Sequence, residues 1–118
     1  YGEEFNDSLV YKLIHSSPDH PVLLFGPDNY YRDYIHVSDV VEAFRNIVEG
    51  AQKNKYIVMN IGSGRALSNR NLVDALVKKG LSPSYTSGQC NLSVSWANIA
   101  KAKKEIGFDP ATGIIIDR

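Results

Sequence analysis

Short apolar segments alternate along this chain with segments in which apolar residues recur at helical spacing. The run at 56–61 is almost continuously apolar, a pattern typical of a strand that is buried on both faces. A Gly-Ser-Gly sequence at 62–64 ends the run, and apolar residues at helical spacing follow between Ser68 and Gly80. This alternation of strand and helix patterns predicts an α/β or mixed α+β fold.

The remaining secondary structure is predicted from periodicity and from turn and cap residues. Strands are predicted at 22–25 and 30–37, with a short strand between 85 and 94 and a turn at 26–29. Helices are predicted at about 5–16, from a cap at Ser38 or Asp39 to Gly50, from a cap at Ser68 to Gly80, and from a cap at Asn98 to Gly107. No repeat, low-complexity tract or linker divides these elements, so the chain has the size and organisation of one modest domain.

The composition excludes several classes of protein. Hydrophobic residues make up 43% of the 118 residues, which is enough for a core, and the 13 Lys and Arg balance the 13 Asp and Glu. We therefore expect no nucleic-acid partner and no attraction to an anionic membrane. No apolar run approaches the roughly 20 residues that span a bilayer. The single Cys90 provides neither an internal disulfide nor a cysteine zinc site, so we expect a cytoplasmic protein without a metal.

The two ends lead us to expect a piece of a longer parent protein. The chain opens at Tyr1 without an initiator Met and stops just after the apolar run at 114–116 begins. The chain also has few helices with which to cover a strand that is buried on both faces. Part of that cover is therefore expected from sequence outside the chain.

Four segments carry motifs, in the following order and spacing. They are Tyr-Gly at 1–2, RDYIHVSDVV at 32–41, NIGSG at 60–64 and KAKKEIGFDP at 101–110. Together they resemble the extended short-chain dehydrogenase/reductase family, which includes the NAD-dependent sugar epimerases and dehydratases. The resemblance runs over nearly the whole chain, although Glu3 stands where the family usually has Pro. No single segment is decisive, but four in order make the resemblance fairly specific.

The motifs that this family uses for redox chemistry are missing from the sequence. There is no G-x-G-x-x-G or G-x-x-G-x-x-G turn, whose backbone N–H groups would meet a pyrophosphate, and none of the seven Tyr is followed by Lys four residues later. The resemblance therefore implies a C-terminal substrate-binding domain or fragment over 1–118, without the complete Rossmann domain. We expect no catalytic residue here and no cofactor bound by this chain alone. The parent protein would use NAD or NADP and is expected to be a homodimer.

Two candidate site residues lie on the predicted strand at 30–37. Alternate residues of a strand share a face, so Arg32, Tyr34 and His36 point the same way. The resemblance implies that Arg32 holds the diphosphate of a nucleotide sugar through its planar guanidinium, and that Tyr34 lies near the ribose or phosphate. From the residues alone, Arg32 could instead pair with Asp28 or Asp39, and Tyr34 could be a core aromatic. We assign His36 no role.

A third candidate, Asn60, follows the apolar run beside the Gly-rich loop. The resemblance implies a substrate contact there, and the alternative is that the side chain stabilises the loop. Asp39 is expected to cap a helix. The lysines at 101–104 are expected on the solvated face of the last helix, with Ala100, Ala102 and Ile106 turned inward.

One departure from the family pattern leaves the function open. Many relatives carry a second diphosphate-binding Arg, in a segment resembling Arg-Pro-Gly-Asp, but this chain has no Arg or Lys between Gly80 and Lys101. The lost charge-assisted contact is worth about 1.5–3 kcal/mol, part of which Gln89 or Asn91 could restore. The substrate could be unusual, a cation could come from elsewhere, or the protein could have drifted from nucleotide sugars.

Three functions follow from these observations. The first is the substrate-binding portion of an NAD(P)-dependent nucleotide-sugar epimerase or dehydratase, with a nucleotide sugar as its ligand. The second is a non-catalytic, degenerate relative that acts as a binding module. The third is part of an NADPH-dependent reductase of a non-nucleotide substrate.

Overall fold

A computed structural model of the chain describes residues 1–2, 4–50 and 56–114. Within these residues the elements are α1 (Leu9–Ile14), β1 (Val22–Phe25), β2 (Tyr30–Arg32), α2 (Val37–Glu49), β3 (Leu67–Ser68), α3 (Asn69–Lys78), β4 (Tyr85–Gly88), β5 (Ser93–Val94) and α4 (Ala100–Ile106). The predicted mixture of helices and strands is confirmed. The predicted single strand between 85 and 94 consists of two strands, β4 and β5.

The strands form two small sheets. β1 pairs in parallel with β4, and β2 lies between antiparallel β3 and parallel β5. The turn predicted at 26–29 joins β1 to β2, because the N–H groups of Asn29 and Tyr30 both donate to the carbonyl of Gly26 at 2.9 Å. Gly26 itself has a φ of 44°, which a side chain would disfavour. The turn brings the end of β1 close to the start of β2.

Two helices begin at serine caps. The Ser8 hydroxyl accepts from the N–H of Tyr11 at 3.2 Å, and the predicted cap Ser68 accepts from the N–H of Asn71 at 3.1 Å. The predicted helix at 5–16 is shorter than expected, since α1 starts only after the Ser8 cap.

The caps predicted for α2 and α4 are wrong by a few residues. His36 caps α2, with its Nδ1 accepting from the N–H of Ser38 at 3.2 Å, whereas the Asp39 carboxylate accepts from the N–H of Ala111 at 3.2 Å. The predicted end of α2 at Gly50 is confirmed. Ile99 occupies the cap position of α4, although the Asn98 side chain accepts from the N–H of Ala100 at 3.1 Å.

Helix α4 carries its lysines outward, as predicted. Ala102 is buried, while Ala100 is exposed, contrary to the prediction. Residues two positions apart lie on nearly opposite sides of a helix, so the two alanines do not share the buried face. The Lys101 Nζ also donates to the carbonyl of Val58 at 2.6 Å.

The strand predicted at 30–37 is too long. β2 ends at Arg32 because each strand beside it, β3 and β5, has only two residues. Beyond Arg32 the extended backbone bonds to the start of the chain instead. The Tyr1 amino group donates to the carbonyl of Ile35, and the N–H of Val37 donates to the carbonyl of Tyr1, both at 2.8 Å.

The buried strand predicted at 56–61 is also wrong. No strand is assigned there, and Tyr56 and Val58 are 85% and 62% exposed. A strand needs a partner for its backbone N–H and C=O groups, and no strand of the described residues pairs with this segment.

The buried side chains form two clusters. The first joins α1, β1 and α3, and includes Leu13, Leu24, Leu72 and Leu76; the second joins α2 and α4, and includes Ala43, Ile99, Ala102 and Phe108. Tyr34 packs against the first cluster, and its neighbour Ile35 packs against the second. The segment that follows β2 therefore lies between the two clusters.

No described helix has the length and apolar character needed to cross a membrane. The same residues contain no cluster of three or more His, Cys, Asp or Glu side chains placed to hold a metal ion.

Candidate functional site

A cavity of about 430 Å³ lies beside β1 and β2. Apolar side chains of α1 and β1 line it, together with Tyr30, Arg32, Tyr34, Asn69 and Cys90. Two of the three predicted site residues, Arg32 and Tyr34, thus share one cavity. Apolar walls with a few convergent polar groups are typical of sites for small organic ligands.

A larger and more open cavity of about 630 Å³ lies at the start of α4, beside Trp96 and Lys103. None of the three predicted site residues lines it. We therefore take the cavity beside β1 and β2, hereafter the β1–β2 cavity, as the candidate site.

The Arg32 guanidinium is held on three sides. Its Nη1 donates to the carbonyl of Tyr31 at 2.7 Å and to the carbonyl of Ser93 at 3.3 Å, and its Nη2 donates to the Ser93 hydroxyl at 2.9 Å. The Cζ atom lies 3.8 Å from the centroid of the Tyr30 ring, in a cation–π contact. These contacts fix both the plane and the direction of the guanidinium.

The alternative pairing of Arg32 with an aspartate is not formed. Asp28 pairs with Arg70, whose Nη2 donates to Oδ2 at 2.8 Å, and Asp39 accepts from the backbone of Ala111. The hydrogen bond from the Arg70 guanidinium lowers the pKa of the Asp28 carboxyl. Among the described residues Arg32 has no carboxylate partner, so its charge is not neutralised by an ion pair.

Two N–H groups of Arg32 remain available for a ligand. The guanidinium has five N–H donors, and the contacts with Tyr31 and Ser93 are three hydrogen bonds, two from Nη1 and one from Nη2. The remaining donors, on Nε and Nη2, lie on the same edge of the planar group. Two parallel donors of this kind match two oxygens of one phosphate.

The Tyr34 side chain combines the two roles considered for it, since its ring packs against the first core cluster and it also lines the β1–β2 cavity. Its hydroxyl donates to Oδ1 of Asn69 at 3.2 Å. Burial, together with a smaller contribution from the neighbouring Tyr30, raises the pKa of Tyr34 to about 12, against a smaller opposite effect of Arg32. The hydroxyl is therefore a neutral, oriented group at neutral pH.

Asn69, which the sequence analysis missed, connects the polar groups of the cavity to β1. It is 2% exposed, and its Nδ2 donates to the carbonyl of Phe25 at 2.6 Å while its Oδ1 accepts from Tyr34. Asn69 lies three and seven residues before the buried Leu72 and Leu76, on the apolar face of α3. A polar residue in an otherwise apolar helix face was the signal that could have identified it.

Asn60 lies apart from the other two predicted site residues. Its side chain is exposed, does not line the β1–β2 cavity, and has only a long contact of 3.4 Å from Nδ2 to the carbonyl of Asn98. The structure thus brings Arg32 and Tyr34 together and leaves Asn60 near the Gly-rich loop.

The Gly-rich loop is stabilised mainly by Asp33. The Asp33 carboxylate accepts from the N–H groups of Ser63, Gly64 and Ala97 at 2.7, 3.0 and 3.1 Å. Partial burial alone would raise the pKa of Asp33, but a hydrogen bond from the Ser63 side chain and the three backbone hydrogen bonds outweigh it, so the pKa is lowered. A Cβ at Gly62 would lie 2.8 Å from Oδ2 of Asp33, which explains the need for glycine there.

The region at 85–91, which stands in place of the missing second Arg segment, contributes one side chain to the β1–β2 cavity. That side chain is Cys90, and neither Gln89 nor Asn91 lines the cavity. Gln89 lies instead with Cys90 around a separate cavity of about 340 Å³ at the 26–29 turn. Arg32 is the single charged residue among those that line the β1–β2 cavity.

Comparison with known proteins identifies a matching family and several relatives. A model of the NAD dependent epimerase/dehydratase family matches residues 1–62. The chain is 25% identical over 99 residues to UDP-glucuronate 4-epimerase of Thermodesulfobacterium geofontis, covering 80% of the chain and 30% of that protein. It is 29% identical over 105 residues to dTDP-4-dehydro-6-deoxyglucose reductase of Escherichia coli, covering 86% and 32%.

A solved structure shares the fold over almost the whole chain. MoeE5 in complex with UDP-glucuronic acid and NAD superimposes with a TM-score of 0.78 at 29% identity, over 96% of this chain and 40% of that one. The chain thus spans about a third of the length of these curated relatives and 40% of MoeE5.

Proposed function

The chain belongs to the NAD-dependent epimerase/dehydratase family, and we propose that it is the substrate-binding part of a nucleotide-sugar epimerase or dehydratase. The observation that carries the proposal is the β1–β2 cavity, where an oriented arginine without a carboxylate partner adjoins a tyrosine hydroxyl and apolar walls. The complex of MoeE5 with UDP-glucuronic acid and NAD supports the same class of ligand.

Arg32 and Tyr34 have distinct roles in this proposal. The edge of Arg32 that carries Nε and Nη2 binds two oxygens of the diphosphate. The neutral Tyr34 hydroxyl, which already donates to Asn69, accepts a hydrogen bond from a ribose hydroxyl. The apolar side chains of α1 and β1 pack against the uncharged parts of the ligand. We retain Asn60 as a proposed contact at the sugar end, because its side chain is exposed beside the Gly-rich loop.

The Gly-rich loop at 62–64 does not offer a pyrophosphate site for the NAD that the family uses. A pyrophosphate site needs backbone N–H groups that point toward the ligand. In the Gly-rich loop at 62–64, the N–H groups of Ser63 and Gly64 already donate to Asp33. We therefore assign no cofactor contact and no redox step to this chain. Its contribution is to hold and orient the substrate, which lowers the barrier of a reaction between bound groups.

We further propose that residues 1–118 form a C-terminal substrate-binding domain, and that a cofactor-binding domain packs against α2. Val41, Phe44 and Val48 lie on one side of α2 and are 62%, 65% and 82% exposed. Tyr56 and Val58, which follow α2 in the chain, are exposed as well. Exposed apolar patches mark interaction surfaces, and the curated relatives are about three times as long as this chain.

The test is a calorimetric titration of the purified chain with UDP, GDP, CDP and dTDP at low salt, with NAD as the control ligand. We expect one nucleoside diphosphate to bind and NAD not to bind. Arg32→Ala should weaken that affinity at least tenfold, the equivalent of about 1.4 kcal/mol for a lost charge-assisted contact. Arg70→Ala serves as the matched control, because Arg70 pairs with Asp28 on the surface, and it should leave the affinity unchanged.

Two results would contradict the proposal in different ways. An unchanged affinity in Arg32→Ala would remove the role of Arg32 while leaving a nucleotide site. Failure of every nucleoside diphosphate to bind both this chain and the full-length protein would remove the nucleotide-sugar function.

A second candidate is a reductase of a carbonyl substrate that carries no diphosphate. It is favoured by the single charge of the cavity, since Arg32 has no second cation beside it among the lining residues. A full-length protein that binds no nucleoside diphosphate but oxidises NADPH with a neutral carbonyl compound would support this candidate.

A further inference from the structure

We propose that Ser93 is a positioning residue for Arg32. Its hydroxyl and carbonyl hold one edge of the guanidinium and thereby direct the other edge to a phosphate in the β1–β2 cavity. This inference rests on the proposed function and adds a residue that lies 61 positions away from Arg32 in the chain.

Ser93 presents two acceptors to the terminal nitrogens of the guanidinium. The Ser93 hydroxyl accepts from Nη2 at 2.9 Å, and the Ser93 carbonyl accepts from Nη1 at 3.3 Å. The remaining hydrogen of Nη1 donates to the carbonyl of Tyr31. Acceptors from β2 itself and from β5 therefore take three hydrogen bonds from Nη1 and Nη2, and Nε has no partner among the described residues.

The backbone keeps Ser93 in this place. β5 pairs in parallel with β2, with Ser93 opposite Tyr30. The N–H of Ser93 donates to the carbonyl of Asn29 at 2.8 Å, and the N–H of Ser95 donates to the carbonyl of Tyr31 at 3.2 Å. These bonds use only the backbone of β5, so they do not require a hydroxyl at 93. The hydroxyl serves Arg32.

The Tyr30 ring completes the arrangement. It lies 3.8 Å below the Cζ atom of Arg32, so it fixes the plane of the guanidinium while Ser93 fixes the direction within that plane. An arginine side chain that is already ordered loses less conformational freedom when it binds a ligand. We infer that this ordering offsets part of the loss of a second cation between Gly80 and Lys101.

The edge of the Arg32 guanidinium that carries Nε and Nη2 indicates the class of ligand. The Nε and Nη2 donors are parallel and coplanar, which suits two oxygens of a phosphate or diphosphate. A nucleoside without phosphate has no such pair of oxygens. The contribution of Ser93 should therefore appear for a nucleoside diphosphate and disappear for the corresponding nucleoside.

The experiment compares three single variants of the chain. Ser93→Ala removes the hydroxyl, Ser93→Thr keeps it on a residue that suits a strand, and Ser87→Ala removes an exposed serine of β4 as the control. For the nucleoside diphosphate that the wild type binds, we expect roughly a five- to tenfold weaker Kd in Ser93→Ala. Ser93→Thr and Ser87→Ala should stay within about twofold, and the nucleoside should bind all variants equally.

A double variant separates positioning from a general structural effect. If Ser93 acts through Arg32, then Ser93→Ala should weaken diphosphate binding no further in an Arg32→Ala background. Equal losses in both backgrounds, or an equal loss for the nucleoside, would overturn the proposal.

A second readout does not depend on ligand binding. Nitrogen-15 relaxation of the Arg32 Nε–H in the chain without ligand reports the order of the guanidinium. We expect its order parameter to fall in Ser93→Ala and to be kept in Ser93→Thr and Ser87→Ala. An unchanged order parameter in Ser93→Ala overturns the role of Ser93 even if no nucleotide binds, whereas a fall without nucleotide binding points to failure of the proposed function alone.

Discussion

Replacement of Asp33 with alanine should destabilise the chain more than the same replacement of an exposed aspartate. The substitution removes one carboxylate that accepts from Ser63, Gly64 and Ala97, and it leaves three backbone N–H groups without that acceptor. A hydrogen bond to a charged group contributes about 1.5–3 kcal/mol. Because water reaches part of the site and the three bonds share one carboxylate, we expect a total loss of roughly 3–4 kcal/mol in the free energy of unfolding.

Urea-induced unfolding, followed by circular dichroism and by the fluorescence of Trp96, measures this loss. Trp96 precedes Ala97 and is the single tryptophan, so it reports on the segment that Asp33 holds. Asp33→Asn keeps an acceptor oxygen and should lose less than Asp33→Ala. Asp28→Ala, which removes the exposed partner of Arg70, is the control and should change the unfolding free energy little.

The dependence on pH gives an independent check. The folded-state pKa of Asp33 is lowered, so its contribution is present above the pKa of the unfolded chain and is lost as the pH falls through the folded-state pKa. The stability difference between the wild type and Asp33→Asn should therefore shrink below about pH 4. A loss of less than about 1 kcal/mol in Asp33→Ala, or a difference that grows toward low pH, would refute the reasoning.

The other predictions concern the buried amide and the exposed face of α2. Asn69→Ala should lower the free energy of unfolding by about 2–3 kcal/mol in urea titrations, because it leaves the carbonyl of Phe25 and the hydroxyl of Tyr34 without their buried partner. The exposed Asn71→Ala is its control, and equal effects of the two changes would contradict the assigned role. Phe44→Lys should reduce concentration-dependent self-association of the chain in sedimentation experiments without lowering its melting temperature, because the ring is 65% exposed. Self-association that is unaffected by this change would exclude the α2 face as its cause.

Local signals in the sequence predicted many of the observed elements. The strand β1, the turn after it, the Ser68 cap and the end of α2 at Gly50 depend on neighbouring residues, and all four are confirmed. The strand predicted at 56–61 failed because an apolar run shows that cover is needed without showing which element supplies it. The strand predicted at 30–37 failed because the ladder depends on the two-residue strands β3 and β5, which local periodicity does not reveal.

In the candidate site too, local spacing predicted some residues and missed those that come from distant parts of the chain. Period-two spacing placed Arg32, Tyr34 and His36 on one face. Arg32 and Tyr34 do line one cavity, whereas His36 caps α2 and does not line it. The residues that orient them, Ser93 and Asn69, come from elements 61 and 35 positions away. Such contacts depend on the tertiary fold, so only the unusual polar position of Asn69 on an apolar helix face carried a local signal. The substrate contact of Asn60 stays a prediction.

The separation of the buried side chains into two clusters bears on how the chain responds to a ligand. Tyr34 and Ile35 are adjacent residues, yet they pack against different clusters. Contiguous groups of packed residues can open as separate cooperative units. A ligand held by Arg32 would restrain the next residues of the chain, Tyr34 and Ile35, which pack against the two clusters. We therefore expect substrate binding to make the two units open together, so that occupancy of the site governs the cooperativity of the whole chain as well as its stability.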